Sequence, residues 1–143
     1  MTKAEVSISL GSNIQRDQHL KKAIAALRDI YGELVISPVY ETAAVGFDGD
    51  DFYNLVVLLH TEQPVREVCG ELKAIEDRMG RDRSQPKFSA RNIDLDLLTY
   101  DDLILDQDGV QIPRHEILKR PFVLKPMADI MGQHQHPLER KTY

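Results

Sequence analysis

Asp94 and Asp96, two acids separated by one residue, are the part of the sequence best suited to chemistry. They lie within Ile93–Tyr100, a run rich in apolar residues that is typical of a β-strand. Side chains two residues apart on a strand point to the same face, about 6.6 Å from each other. Two carboxylates at this spacing can hold a pair of metal ions, as at many phosphoryl-transfer sites. A solvated strand face is the plainer alternative for such a pattern taken alone.

A cationic stretch comes immediately before these acids. Arg81, Arg83, Lys87 and Arg91 stand close together in a chain whose net charge is −5. Arginine presents planar donors that match phosphate oxygens, and magnesium bridges phosphates while cations neutralise developing charge. The combination predicts a magnesium-dependent polyphosphate site, with Asp94 as one of its metal ligands. The alternative, a loop kept soluble by its charge, is less favoured because few acids stand among the cations.

Other kinds of site find little support. The sequence has no GxxxxGK[ST] loop and no GxGxxG, which disfavours a P-loop kinase and a Rossmann site. Cys69 is the only cysteine and falls in an apolar helical stripe, and His134 and His136 lack a third metal ligand. The acidic net charge argues against nucleic-acid binding. No run is apolar enough for a membrane span or a signal peptide, so we expect a cytoplasmic protein.

Apolar periodicity predicts the elements that position these residues. A strand through Val6–Leu10 is followed by a helix that Asp17 can cap and Gly32 ends. Two short strands, at Glu33–Ser37 and Val39–Thr42, and a long strand at Phe52–Thr61 come next. A helix after Pro64, at Val65–Met79, then leads to the Asp-x-Asp strand at Ile93–Tyr100 and its returning strand at Leu103–Leu105. This order predicts an α+β fold: a ferredoxin-like (split βαβ) antiparallel sheet with helices packed on it and an added β-hairpin. The length suits a single domain, residues 1–143.

Six segments, in chain order, resemble the 6-hydroxymethyl-7,8-dihydropterin pyrophosphokinase family of folate biosynthesis. They are ISLGSN (Ile8–Asn13), SPVYET (Ser37–Thr42), Asn54 in its strand, GRDR (Gly80–Arg83), ARNIDLDLLTYDD (Ala90–Asp102) and RPFVLKPMADI (Arg120–Ile130). Together they cover most of the chain, and the segment around Asp94 is the most specific.

The resemblance implies a role for each matching residue. Asp94 and Asp96 would bind two magnesium ions, and Arg81 and Arg91 would be catalytic, on a loop that closes over the nucleotide. ATP would be bound by a largely cationic set: Arg81, Arg83, Lys87, Arg91, Arg114, His115 and Arg120. The reduced pterin would be bound by Thr42, Ala43, Val45, Phe52, Asn54 and Phe122, the two phenylalanines sandwiching the ring. The pterin hydroxyl would attack the β-phosphorus of ATP and release AMP. The family implies ATP and the pterin as partners, and we expect a monomer that binds neither nucleic acid nor membrane.

The sequence also departs from the family pattern. Pro113-Arg114-His115 stands where Pro-His is usual, and Phe88 stands where a tryptophan is common. A paralogue acting on a related pterin alcohol is therefore one alternative. A non-catalytic ferredoxin-like module that binds a small ligand is another, and a metal-dependent nuclease is disfavoured by the net charge. Glu76 is interpreted either as part of a surface ion pair or as a support for Arg81.

Overall fold

The computed structural model describes residues 3–13, 15–42, 51–79, 93–101, 103–107 and 110–113, together with positions 126 and 128. The elements whose bounds are described are two helices, α1 and α2, and seven strands, β1 to β7; positions 126 and 128 are also helical. The helices are Arg16–Tyr31 and Val65–Arg78. The strands are, in order, Ala4–Ser12, Val35–Ile36, Tyr40–Thr42, Phe52–Thr61, Asp94–Tyr100, Leu105–Gln107 and Val110–Ile112.

The main sheet is antiparallel and has β1 at its centre. Its strand order is β2-β4-β1-β5, and β3 pairs with a different part of the same strand β4. Each of the pairings β1–β4, β1–β5, β2–β4 and β3–β4 is antiparallel. Residues that are far apart in sequence, on β1, β4 and β5, are therefore hydrogen-bonded neighbours.

Both helices contribute to one hydrophobic core against the sheet. Alternate residues of the three long strands are buried there, with Leu10, Leu55 and Leu95 forming one row across β1, β4 and β5. The helices bury the stripes that helical spacing predicts, Leu20, Ala23 and Leu27 on α1 and Val68, Leu72 and Ile75 on α2. In the part of the chain that the structure describes, neither helix is long and apolar enough to cross a membrane.

Several element boundaries agree with the sequence prediction. β4 spans the expected residues, and Gly32 ends α1 with a positive φ of 82°, a conformation that glycine adopts without strain. The expected cap at Asp17 is wrong. α1 begins at Arg16, so Asp17 lies inside the first turn. Its negative charge there interacts favourably with the positive end of the helix dipole.

The segment after β5 also differs from the prediction. Leu103 and Ile104 lie outside any strand, and the chain forms a separate two-stranded sheet, β6–β7. Tyr100 and Asp101 turn the chain, with the Leu103 amide donating to the Tyr100 carbonyl at 3.0 Å. Leu103–Leu105 is therefore not a returning strand paired with β5. The backbone amide of Leu95 on β5 donates a hydrogen bond to a side chain of α2.

Candidate active site

One row of residues crosses the sheet on the face opposite the helices, which we call the site face. Asp94 on β5 is paired with Gly11 on β1, Gly11 with Asn54 on β4, and Asn54 with Tyr40 on β3. Directly paired residues in a sheet share a face. The candidate metal ligand Asp94 and the candidate pterin-binding residue Asn54 therefore lie on the same face, with only a glycine between them.

The second acid lies in the next row of the site face. Asp96 is paired with Ser9, so both aspartates have a small residue beside them on β1. Both acids are partly buried, whereas their neighbours Leu95 and Leu97 are each 5% exposed and belong to the core. The prediction that the two carboxylates share one face while the apolar residues anchor the other is confirmed.

A buried carboxylate from α2 supports the strand between these acids. Glu76 is only 6% exposed, and its Oε2 accepts a hydrogen bond of 2.8 Å from the Leu95 amide. Helix α2 is thus joined to β5 midway between Asp94 and Asp96. The interpretation of Glu76 as part of a surface ion pair is wrong, and Arg81, the other suggested partner, lies outside the described residues.

Gly11 provides the space that the Asn54 side chain occupies. A Cβ atom added at Gly11 would lie 3.1 Å from Asn54 Oδ1 and 3.8 Å from Phe52 Cδ1. The side chains of Asn54 and Phe52 therefore both extend over the Gly11 backbone, and Asn54 is 4% exposed. Thr42, a third residue expected to contact the pterin, is paired with Phe52 on the neighbouring strand.

The two aspartates suit magnesium by their chemistry. Magnesium prefers oxygen ligands, keeps several waters, and is usually held by one or two carboxylates together with substrate phosphates. Among the residues that the structure describes, no group of three or more His, Cys, Asp or Glu side chains could form an all-protein metal cage. Asp94 and Asp96 supply carboxylate oxygens of the type that magnesium prefers.

The other predicted site residues lie outside the described part of the chain. They are Ala43, Val45, Arg81, Arg83, Lys87, Arg91, Arg114, His115, Arg120 and Phe122, and their roles stay predictions. Sequence reasoning missed the positions of Gly11 and Ser9, which are paired with the two acids across β1 and β5. The predicted strand covered Val6–Leu10, whereas β1 continues through Gly11 to Ser12. The signal that was available is the glycine itself, which inside a strand indicates close approach of another group.

Comparison with known proteins places the chain in a family. Residues 7–132 match the model of the 7,8-dihydro-6-hydroxymethylpterin-pyrophosphokinase (HPPK) family. The chain is 33% identical over 140 residues to a 2-amino-4-hydroxy-6-hydroxymethyldihydropteridine pyrophosphokinase of Aquifex aeolicus, covering 96% of this chain and 87% of that protein. It is 37% identical over 132 residues to a folate synthesis bifunctional protein of Arabidopsis thaliana, covering 90% of this chain and 27% of that protein.

The fold is also similar to that of a solved structure. A Plasmodium falciparum HPPK-DHPS triple mutant superposes with a TM-score of 0.77 at 15% identity, covering 98% of this chain and 42% of that one. The chain thus spans about a quarter to two fifths of these longer proteins and most of the Aquifex one. With the family model matched over most of its length and a relative above 30% identity nearly matched end to end, the chain belongs to the 7,8-dihydro-6-hydroxymethylpterin-pyrophosphokinase family.

Proposed function

We propose that this protein transfers a diphosphate from ATP to the hydroxymethyl group of 6-hydroxymethyl-7,8-dihydropterin, giving AMP and the pterin diphosphate in folate biosynthesis. Family membership and relatives that carry this enzyme's name support the proposal. The observation that carries it is the row Asp94–Gly11–Asn54 on the site face. Asp94 and Asn54 are two strands apart, about 10 Å at the usual strand spacing. A pterin held at Asn54 can direct its hydroxymethyl arm toward phosphates held at Asp94.

In the proposed reaction the substrate hydroxyl oxygen forms a bond to the β-phosphorus of ATP. The bond from that phosphorus to the oxygen bridging it to the α-phosphorus breaks, AMP leaves with this oxygen, and the hydroxyl proton passes to solvent. Such transfers depend on positioning and electrostatic stabilisation more than on a strong base. Magnesium ions, when bound, would neutralise phosphate charge.

The residues of the chain supply the positioning. Asp94 and Asp96 would hold two magnesium ions. The Asn54 amide has both donors and an acceptor for the polar edge of a pterin, and Phe52 offers an aromatic face for the ring. Arg81 and Arg91 are proposed to bind the phosphates and stabilise the charge that develops on them.

The finer structural and cellular assignments are part of the same proposal. The antiparallel order β2-β4-β1-β5 supports a ferredoxin-like, split βαβ sheet, and β6–β7 would be the added hairpin. We propose further that residues 1–143 form one domain and that the protein acts as a cytoplasmic monomer without nucleic-acid or membrane partners. The fit of both aspartates to an oxygen-ligand site supports magnesium dependence.

The experiment that tests the function separates AMP from ADP. Purified protein is incubated with ATP and 6-hydroxymethyl-7,8-dihydropterin, with and without magnesium, and the nucleotides are quantified by ion-exchange chromatography. The proposal predicts AMP formation that requires both the pterin and magnesium. A folded protein that binds both substrates but forms no AMP would reject the proposed reaction, and related pterin alcohols would then be the next substrates to test.

A further inference from the structure

Arg16, the first residue of α1, reaches from the helix to the paired strands β3 and β4. Its Nη1 atom donates a hydrogen bond of 2.8 Å to Glu41 Oε2 and another of 2.9 Å to the Asp51 carbonyl. Its guanidinium carbon lies 3.7 Å from the centroid of the Tyr53 ring. One side chain thus contacts β3, β4 and the residue that precedes β4.

These contacts lie on the opposite side of the strands from the candidate substrate residues. Glu41 and Tyr53 are paired with each other across β3 and β4. Because side chains alternate along a strand, residues next to Tyr53 point to the other face. Those neighbours are Phe52 and Asn54, which both extend over Gly11 on the site face. Arg16 therefore contacts the face of β4 opposite the one from which Phe52 and Asn54, the proposed pterin-binding residues, extend.

The geometry is more than an ordinary surface ion pair. An exposed ion pair alone contributes about 0–1 kcal/mol, and the Glu41 side chain is 51% exposed. The Arg16 side chain, however, is 26% exposed and adds a hydrogen bond to a backbone carbonyl and a stacked aromatic contact. The Asp51 carbonyl belongs to the peptide that leads directly into Phe52. Fixing that peptide restricts the direction in which the chain enters β4.

Arginine suits this role better than lysine. Its planar group can direct hydrogen bonds to two acceptors while its face lies on an aromatic ring, whereas a lysine ammonium is a compact point charge. Three contacts from one planar group define an orientation, which a single charge does not. The local arrangement therefore depends on the identity of residue 16 and not only on its charge.

We propose that Arg16 is a positioning residue for the pterin: through Glu41, Asp51 and Tyr53 it fixes the segment of β4 from which Phe52 and Asn54 contact the ring. The proposal rests on the proposed function. Arg16 itself does not touch the substrate. Its loss should therefore weaken pterin binding while leaving ATP binding, which is assigned to other residues, almost unchanged.

The test compares Arg16→Met and Arg16→Lys with the wild type by calorimetric titration of 6-hydroxymethyl-7,8-dihydropterin in the presence of magnesium and a non-hydrolysable ATP analogue. Loss of a charge-assisted hydrogen bond predicts a pterin Kd that is about tenfold higher for Arg16→Met. Arg16→Lys keeps the charge and should recover part of the affinity. The Kd of the ATP analogue should change by less than about twofold in both variants, since neither touches the predicted nucleotide residues.

Arg28→Met provides the matched control, because Arg28 is an exposed arginine of the same helix. This variant should bind the pterin as the wild type does. Glu41→Gln should weaken pterin binding in the same direction as Arg16→Met, and the double variant should be less impaired than the sum of the two changes.

An unchanged pterin Kd in Arg16→Met, with or without a lower melting temperature, would overturn the proposal and leave Arg16 with a structural role only. Equal weakening of pterin and nucleotide would also overturn it. The proposed function is tested separately. A wild-type protein that binds the pterin but forms no AMP would contradict the proposed reaction, while the pterin Kd values of the Arg16 variants would still test the role of Arg16. A wild-type protein that does not bind the pterin contradicts both.

Discussion

Gly11 lies between the two halves of the candidate site, paired with Asp94 on one side and with Asn54 on the other. At this position the size of the side chain matters more than its charge. A Cβ atom would lie 3.1 Å from the Asn54 amide oxygen, closer than an ordinary van der Waals contact. The absence of a side chain at residue 11 is therefore a requirement for the observed position of Asn54.

Gly11→Ala is expected to displace the Asn54 amide by a few tenths of an ångström and to raise the KM for the pterin. A misplaced hydrogen-bonding group costs about 1–2 kcal/mol, or roughly a tenfold rise in KM. Steady-state assays that vary each substrate in turn measure the effect, and the KM for ATP should change much less.

Gly70→Ala is the matched control for that substitution. Gly70 lies in the interior of α2, and a Cβ atom there meets nothing within 4 Å. This variant should keep wild-type kinetics and gain about 0.5–1 kcal/mol of stability, because alanine favours a helix interior over glycine. An unchanged KM for the pterin in Gly11→Ala would show that the close approach to Asn54 has no functional importance.

Asp96→Ala is expected to abolish turnover while leaving the fold intact. Asp96 is only partly buried on the site face, and the strand is anchored by Leu95 and Leu97 on the other face. Loss of a carboxylate that is proposed to bind a metal ion should reduce kcat by at least about a hundredfold, a typical cost of removing one electrostatic contact to a reacting group. Product formation and thermal unfolding are measured on the same preparation.

Asp29→Ala, which removes an exposed acid from α1, serves as the control for the change in net charge. It should be as active as the wild type. Near-normal activity in Asp96→Ala, together with an unchanged melting curve, would rule out the assignment of this carboxylate as a metal ligand.

Among contacts between elements, the one between α2 and β5 fixes the backbone of the strand that carries Asp94 and Asp96. The Glu76 carboxylate accepts the Leu95 amide at 2.8 Å in a buried position. A side chain here does what a neighbouring strand does elsewhere in the sheet, because it satisfies a backbone donor. The helix thereby fixes the backbone between the two acids.

Glu76→Ala should lower the free energy of unfolding by about 1–3 kcal/mol, because the buried Leu95 amide would lose its acceptor. Urea denaturation followed by circular dichroism measures this change. Glu67→Ala, the loss of an exposed carboxylate from the same helix, should cost less than about 1 kcal/mol. Equal, small effects of the two substitutions would contradict the account of the contact between helix and strand.

Much of this architecture could be predicted from local pattern. The alternation Asp94-Leu95-Asp96-Leu97 indicates a half-buried strand with its acids on one face, and the structure confirms it. The spacing of Val68, Leu72 and Ile75 likewise indicates the buried stripe of α2. These patterns can be recognised in the sequence because apolar residues recur at the helical or strand period wherever one face of the element is buried.

The rest depends on contacts between distant parts of the chain, which no local pattern encodes. Glu76 and Leu95 are 19 residues apart in sequence, and Arg16 and Asp51 are 35 apart. A glutamate at helical spacing has the same sequence signature whether its carboxylate faces solvent or a strand amide. The row Asp94–Gly11–Asn54 likewise requires knowledge of strand order and register, which depend on the whole sheet.

At the scale of the whole molecule, one polar network connects α1, the turn before α2, and β5. Gln63 accepts a hydrogen bond of 2.8 Å from the Tyr31 hydroxyl through its side chain and one of 2.6 Å from the Tyr100 hydroxyl through its backbone carbonyl. Burial raises the pKa of Tyr31 well above its usual value, and the negative charges of Glu71 and Glu67 raise this pKa further.

This raised pKa predicts a pH dependence of stability. The native state favours the neutral phenol, so its stabilising effect is fully present below the unfolded pKa of about 10 and is lost as the pH rises toward the folded pKa. The unfolding free energy should therefore fall above about pH 10, where the unfolded chain releases the Tyr31 proton first.

Tyr31→Phe removes the phenol hydroxyl and, with it, the pH-dependent contribution of Tyr31 to stability. The variant should be less stable than the wild type at pH 8, by about 1 kcal/mol for the lost hydrogen bond. The difference between the two proteins should narrow as the pH rises past about 10. Lysine titration affects both proteins alike, so urea denaturation across this range isolates the contribution of Tyr31. A difference that stays constant with pH would contradict the assignment.

Phosphorus NMR of the reaction with Mg-ATP and 6-hydroxymethyl-7,8-dihydropterin distinguishes transfer of a diphosphate from transfer of a single phosphate. Transfer of a diphosphate predicts that the ATP signals are replaced by the single resonance of AMP and the coupled pair of resonances of a diphosphate ester, in equal amounts. Appearance of ADP with a monophosphate ester would show attack at the γ-phosphorus instead and would contradict the account. Unchanged ATP signals from a folded protein that binds both substrates would contradict it as well.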